Sequence, residues 1–456
     1  MGKVSKLSSL VSVLSIAYFL QGTIYAASNL SLEEMLEQAL KKSIPALINK
    51  HKLKKAEKGQ RNDFYAFFPT LDFEAGRGLG YSLDEESENF VSNSANSISL
   101  NLSIPIFAGG DRFYQLKDGK LALKQTKIDT LNTISGFIID LIKMYFDFHL
   151  VLAQLKITDY KLENVQTALE KAKQLVSLGI KTEIDVYDRE IELAQIKRSI
   201  LELNNSKKNI LSKIKNYINT KKQIDFNPIN IEVYKPYYYD LFNDNFSMFS
   251  SRGKKHLIEN NLSIKSWRIT LERSKLKYIE IKKKRWPKAN ISASLTRDYS
   301  RYANKLDEGI VKRPVDSANL RAGLTWDLWD NYSIERDISV AASNYEIDSL
   351  NFEKEQRQIH QDLNEHLQNY KLLEQSIDIS ILALEKSEKQ YSFAKEMYDL
   401  GKIPVSTLAV ATETWFRSKL QVIELKSEKL VLMARILKTL GYNLFPASEK
   451  RKATQE

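Results

Sequence analysis

Ala172-Lys173-Gln174-Leu175-Val176-Ser177-Leu178-Gly179 returns about 220 residues later as Ala394-Lys395-Glu396-Met397-Tyr398-Asp399-Leu400-Gly401, with Ala, Lys, Leu and Gly at identical spacing. Two earlier landmarks recur in the same order. Phe68-Pro69-Thr70-Leu71 returns as Trp286-Pro287-Lys288-Ala289, and Leu102-Ser103-Ile104-Pro105-Ile106-Phe107 as Leu324-Thr325-Trp326-Asp327-Leu328-Trp329. A period this long exceeds any solenoid unit, so it records the duplication of a supersecondary assembly. Length alone would suggest two or three domains for 456 residues; the paired landmarks instead predict one body built from two interleaved halves.

Each octapeptide closes a long helix. No proline occurs from Asp111 to Leu178, and Leu162, Val165, Leu169, Ala172 and Val176 step by three and four; in the second copy Tyr370, Ile377, Leu384, Tyr391 and Tyr398 recur every seven. Such spacing specifies coiled-coil packing. At 1.5 Å per residue the first segment would reach about 100 Å. A Gly-bearing turn and a returning helix, Asp185 to about Leu203 and Thr407 to about Leu432, then complete a hairpin in each half.

Upstream of each hairpin lie two stretches of alternation. Leu71, Phe73, Ala75, Leu79 and Tyr81 alternate with Asp72, Glu74, Gly76, Gly78 and Gly80, broken only by Arg77. Ile98, Leu100, Leu102 and Ile104 alternate with Ser99, Asn101 and Ser103. Ala289, Ile291, Ala293 and Leu295, then Ala318, Leu320, Ala322, Leu324 and Trp326, repeat the pattern. Period two with one apolar face predicts four strands, each about long enough to cross a bilayer when tilted. A small soluble sheet resting on a core would show the same alternation. Against that reading, aromatics stand where helix meets strand (Tyr65, Phe67, Phe68, Trp286) and where strand meets helix (Phe107, Trp326, Trp329), as in an interfacial girdle. Four strands cannot close a barrel and lipid tolerates no open edge, so several chains must each contribute their four.

The chain divides accordingly. Residues 1–26, with Lys3, Lys6 and the apolar run Leu10 to Leu20, read as a secretory signal peptide. The first repeat covers 27–223, with strands about 70–81 and 97–105 and a helical hairpin about 111–205. An irregular connection rich in Tyr, Phe and Asn covers 224–256. The second repeat covers 257–445, with strands about 288–296 and 317–327 and a hairpin about 333–432, and a polar tail, read as disordered, covers 446–456. Ser31-Leu32-Glu33-Glu34 is a capping box, and Pro45 separates the helix it opens from the next.

Composition excludes several classes. Without cysteine there are no disulfides and no lipidated cysteine to act as an anchor. Past the leader no apolar run is long enough for a spanning helix; the greasiest stretch, Phe137 to Leu152, holds Asp140, Lys143, Asp147 and His149. The formal charge of +11 does not point to nucleic acid, because the bases are interspersed with nearly as many acids and the chain reads as exported. Lys282-Lys283-Lys284-Arg285 ends a helix, where cations suit the dipole and can snorkel at a membrane edge. His51, His149, His256, His360 and His366 are dispersed, so no catalytic, cofactor or metal site is expected. The glycines of Gly76-Arg77-Gly78-Leu79-Gly80 alternate on a strand's polar face, with no helix following to cradle a phosphate.

Leu30-Ser31-Leu32-Glu33-Glu34 with Ala39-Leu40, Pro105-Ile106-Phe107-Ala108-Gly109-Gly110 at a strand-to-helix join, and the two Leu-Gly turns followed by Asp185-Val186 and Thr407-Leu408 closely resemble the TolC family of bacterial outer-membrane efflux and secretion ducts, over essentially the whole mature chain. The resemblance implies a mainly α fold with a β-barrel portion: a homotrimer whose twelve strands form one outer-membrane barrel, continued by an α-helical periplasmic tunnel. It implies passive conduction of drugs or secreted proteins, a periplasmic adaptor and an inner-membrane efflux or ABC-type pump as partners, and no enzyme activity. It places Leu178, Gly179, Ile180, Leu400, Gly401 and Lys402 at adaptor-contacting tips. Asp185 and Tyr398 match a pair that helps hold the tunnel end closed. Where the family has a basic residue and two acidic ones after the second turn, this chain has Ile403, Thr407 and Val410, and Asp188 is left to supply carboxylates from the first copy. A periplasmic coiled-coil scaffold or adhesin without a pore is the alternative reading.

Overall fold

The computed structural model describes residues 28–84, 89–180, 182–221, 224–249, 259–302 and 311–445. The leader and the tail lie outside them. The elements are β1 (Ser28–Leu30), α1 (Leu32–Lys42), α2 (Ile44–Tyr65), β2 (Thr70–Asp84), β3 (Asn89–Ala108), α3 (Asp111–Ser177), α4 (Glu183–Ile218), β4 (Ile224–Phe226), α5 (Tyr239–Phe249), α6 (Leu262–Lys283), β5 (Lys288–Tyr302), β6 (Val311–Thr325), α7 (Ser333–Asp399) and α8 (Val405–Thr439). Duplication is written in these lengths: α3 and α7 are 67 residues each, α4 and α8 36 and 35.

The described residues form two compact units, one of Lys50–Thr130 with Leu262–Arg357, the other of the remainder. In the first, the strands form one antiparallel sheet in the order β2-β3-β5-β6, so the two repeats meet at the central β3–β5 pair. Beside it α3 and α6 are tied by polar contacts. Arg273 donates to both oxygens of Asp118 at 2.8 and 2.9 Å and to Gln125 at 2.9 Å, while Gln125 donates to Thr270 at 2.8 Å. The bidentate geometry holds α6 on α3 at a fixed register. Gly119 marks a close approach of α3 to α2: an added Cβ would stand 1.9 Å from a carboxylate oxygen of Asp63, whose side chain would have to swing aside.

The second unit carries the aliphatic and aromatic core. Leu32, Met35, Leu36 and Ala39 of α1, Ile138, Leu141, Ile142, Tyr145, Phe146 and Phe148 of α3, Ile214 and Ile218 of α4, and Met433, Ala434, Ile436 and Leu437 of α8 are buried. The greasiest stretch of the sequence is thus a core helix, apolar on most sides because it is surrounded. Ser31 caps α1 as expected: its hydroxyl accepts from Glu34 N–H at 3.2 Å and its N–H donates to the Glu34 carboxylate at 2.9 Å. Ser43 ends α1 and accepts from Ala46 N–H at 3.2 Å to begin α2, with Pro45 in the first turn where no N–H is needed.

The stretch after α4, expected to be irregular, contains β4 and α5. β4 pairs in parallel with β1, and Phe226 packs edge-on to Tyr145 and Phe148. Its tyrosines are structural. The Tyr238 hydroxyl donates to the Leu430 carbonyl at 3.0 Å, and Tyr237 donates to the Leu444 carbonyl, so burial of the rings leaves no orphaned O–H.

Candidate functional site

The sheet has two chemically opposite faces. Across all four strands the register aligns Leu71, Leu102, Ala293 and Leu320 in one row and Phe73, Leu100, Leu295 and Ala318 in the next. The opposite face carries the rows Asp72, Asn101, Ser294, Asn319 and Glu74, Ser99, Thr296, Ser317. Within the chain the apolar face is uncovered: Phe73 is 68% exposed, Leu320 80% and Leu324 72%. A patch of this size on a solvated protein would be an aggregation hazard. The next row outward is Ala75, Ile98, Arg297 and Asp316, in which Arg297 donates to both Asp316 oxygens at 2.5 and 2.6 Å. Sequence reading passed over this pair; its signal is the place where alternation gives way to charge on both partner strands.

The expected interface aromatics gather where this sheet meets the helices. Phe67 packs edge-on to Phe113 at 5.4 Å, Phe68 joins Phe64 and Tyr65, and Phe107 lies 6.2 Å from Trp286. Trp326 donates its indole N–H to the Arg285 carbonyl at 3.0 Å, and Trp329 meets Tyr332 at 5.1 Å. Each cation of the basic run is engaged: Lys282 over Tyr278, Lys283 over Trp286, Lys284 with Asp337 and Arg285 with Glu335. At the strand-to-helix joins, Gly109 and Gly110 have φ of 63° and 86°, and Asn331 and Tyr332, at the same separation as Gly179 and Gly401, repeat the left-handed pair with φ of 55° and 60°.

In the other unit, the two hairpin tips are stereochemical copies. Gly179 and Gly401 both have φ of 71°. Gly179 N–H donates to the Val176 carbonyl and Ile180 N–H to the Leu175 carbonyl, both at 2.9 Å; Gly401 bonds Tyr398 and Lys402 bonds Met397 at the same distance. This is the Schellman closure of a helix end, and it needs a left-handed residue. It leaves Leu178, Ile180 and Leu400 between 61% and 71% exposed. Beyond the first tip, α4 shows a further exposed row of Ile184, Tyr187 and Ile191.

Of the residues expected at the gate, Asp185 and Asp188 lie on α4 and Tyr398 near the end of α7. The Asp185 carboxylate accepts from the N–H and hydroxyl of Thr182 at 3.4 and 3.3 Å, capping its own helix. Lys171 stands 5.5 Å over the Tyr398 ring. Asp188 is exposed, as are Thr407 and Val410, while Ile403 is half-buried.

Between the first hairpin (α3, α4) and the second (α7, α8) lies a cleft of about 670 Å³, reached by Tyr398 and by groups that sequence reading did not single out. Five cations line it, Lys161, Lys171, Arg189, Lys395 and Arg417, against two carboxylates, Glu192 and Glu413. Beside it Tyr391 stacks on Trp415 at 4.7 Å, and Tyr160 packs edge-on to Phe416 at 5.4 Å. No local motif announces the cleft, because its walls come from two hairpins far apart in the chain.

Among the described residues no group of acids and histidines is arranged to hold a metal ion, and no helix is long and apolar enough to cross a membrane. No curated protein matches the chain significantly by sequence. Solved structures do match by fold. The outer membrane channel CmeC of Campylobacter jejuni superposes with a TM-score of 0.75 at 15% identity, covering 93% of this chain and 89% of its own. VceC, an outer membrane protein of Vibrio cholerae, gives 0.72 at 14% identity over 91% and 97% of the two chains, and the open state of the Neisseria gonorrhoeae channel MtrE 0.73 at 13% over 91% and 89%. At these identities the likeness is one of fold. The model of the family described as outer membrane efflux protein matches residues 37–220 and 255–442, one segment in each repeat. The chain therefore belongs to the outer membrane efflux protein family, the TolC-like channels, and is an outer-membrane duct of an efflux system.

Proposed function

We propose that three copies of the chain join their four-stranded sheets into one twelve-stranded barrel, continued into the periplasm by the helical hairpins, and that substrates pass through it passively. A periplasmic adaptor would bind the tips at Leu178–Ile180 and Leu400–Lys402, and an inner-membrane pump would supply the driving force. The observation that carries this reading is the sheet. Its apolar face is bare, and β2 and β6 have no outer partner among the described residues. Lipid satisfies the face and neighbouring chains satisfy the edges. A second support is α7, whose heptad residues Tyr370 and Ile377 are buried in its own unit while a separate row, Leu372, Ile379 and Phe393, is exposed and free to pack on another chain.

In this reading Phe67, Phe68, Phe107, Trp286, Trp326 and Trp329 sit at the membrane interface, and Asp185, Asp188 and Tyr398 form the periplasmic gate. Carboxylates repeated around a constriction favour cations and invite divalent block. With Ile403 in place of a cation, closure depends less on ion pairs and so less on salt. Conductance in planar bilayers tests the gate: Asp185→Ala, Asp188→Ala and Tyr398→Phe are expected to raise conductance or reduce cation selectivity. Wild-type values in all three would remove these residues from the gate and leave Leu178 and Leu400 as an apolar constriction.

A further inference from the structure

We propose that the cleft between the two hairpins of one chain is a binding site for a small multivalent oxyanion, of the phosphate or polycarboxylate class, which bridges the hairpins. The charge is unbalanced by placement. Of the five cations, Lys161 is paired with Glu413, and Arg189 with Glu192 on its own helix. Arg417 reaches only the Glu413 that Lys161 already holds, at 3.8 Å. Lys171 stands over the face of Tyr398, and Lys395 has no ion pair among the described residues.

Both acids in the cleft are therefore committed, and Lys171 from the first hairpin and Lys395 from the second are left without a carboxylate. The amide side chains of Asn164 and Gln195 supply neutral donors to the same space, whereas the Thr412 hydroxyl is spent on the Leu408 carbonyl at 2.7 Å. Its volume suits a small ligand, and its walls are α-helical and thus preformed. The octapeptide repeat sharpens the assignment. Lys173 is the first-copy counterpart of Lys395, yet only Lys395 lines the cleft.

An anion of charge two or more would balance the charge of both lysines, whereas a monovalent one would balance only one. The inference concerns the hairpins alone and stands whether or not Tyr398 belongs to a gate. Trp415, stacked on the cleft residue Tyr391, is a built-in reporter, since the other tryptophans (Trp267, Trp286, Trp326, Trp329) lie in the other unit.

The test titrates the detergent-purified full chain with sodium phosphate, and separately with citrate, against chloride at constant ionic strength, following tryptophan fluorescence and heat. A saturable response on the order of millimolar is expected. Lys171→Gln/Lys395→Gln should weaken it by about tenfold or more, while Lys173→Gln leaves it unchanged. Trp415→Phe should abolish the fluorescence change and keep the heat. Absence of saturation in the wild type, equal binding by the double variant, or a response matched by chloride would each overturn the proposal. Circular dichroism of each variant separates lost binding from lost fold.

Discussion

His149 is the least comfortable side chain of the core. It is 3% exposed, its Nε2 has no hydrogen-bond partner, and it is ringed by Tyr145, Phe148 and Phe226. Burial pushes its pKa down from 6.5 to about 4, against a smaller upward pull from Asp225. Because the folded pKa lies below the unfolded one, the unfolded chain binds the extra proton first. Stability is then complete above pH 6.5 and falls by up to about 3 kcal/mol as the pH drops towards 4. Melting measured across that window should show this slope in the wild type and a shallower one in His149→Phe; parallel curves would mean the imidazole titrates normally. The tip glycines allow a second test. Nothing stands within 4 Å of an added Cβ at Gly179, so Gly179→Ala meets only backbone strain of about 1 kcal/mol. The Ile180 amide should then exchange about fivefold faster with global melting unmoved. Equal exchange rates would show that the turn does not depend on its left-handed residue.

The strands were legible where one face was apolar and illegible beyond. Alternation placed β2, β3, β5 and β6, but β3 begins at Asn89 rather than near residue 97, because Ser92, Asn93, Ser94, Asn96 and Ser97 are polar on both faces and give no period to read. β6 begins at Val311, ahead of Pro314, a residue that argues against strand but is tolerated on an edge. Similarly, the returning helix was expected to run to about Leu203, yet α4 runs on to Ile218, carried by burial of Ile214 and Ile218. Tertiary packing outweighed local propensity there. The two faces of the sheet make opposite forecasts. Leu102→Arg or Leu320→Arg, in the row shared by all four strands, should cost about 2 to 4 kcal/mol near mid-bilayer and reduce the protein recovered from outer membranes. Ser99→Arg on the polar face should assemble normally and alter conductance. Similar behaviour of the two classes in fractionation would show that the apolar face does not meet lipid.

Assembly is where the single chain is visibly incomplete, in its bare sheet edges and in the exposed row on α7. If that row packs between chains, Ile379→Glu with Phe393→Glu should shift the detergent-extracted protein from about three chain masses towards one, with helical content retained. An unchanged mass would move the contact elsewhere. The duplication was readable from eight residues, because the Schellman turn demands glycine at one position and the strands demand alternation. The cleft was not, because its lysines answer to no local requirement. The order β2-β3-β5-β6 has a genetic corollary. The β3–β5 seam that fuses the two copies is a strand junction like the β6–β2 junction that three chains would form, so the gene already encodes one step of a concatemer. Joining three copies end to end through two flexible linkers would turn all three remaining seams into intramolecular ones at about millimolar effective concentration. Assembly of such a tandem chain would no longer depend on how much protein the cell makes.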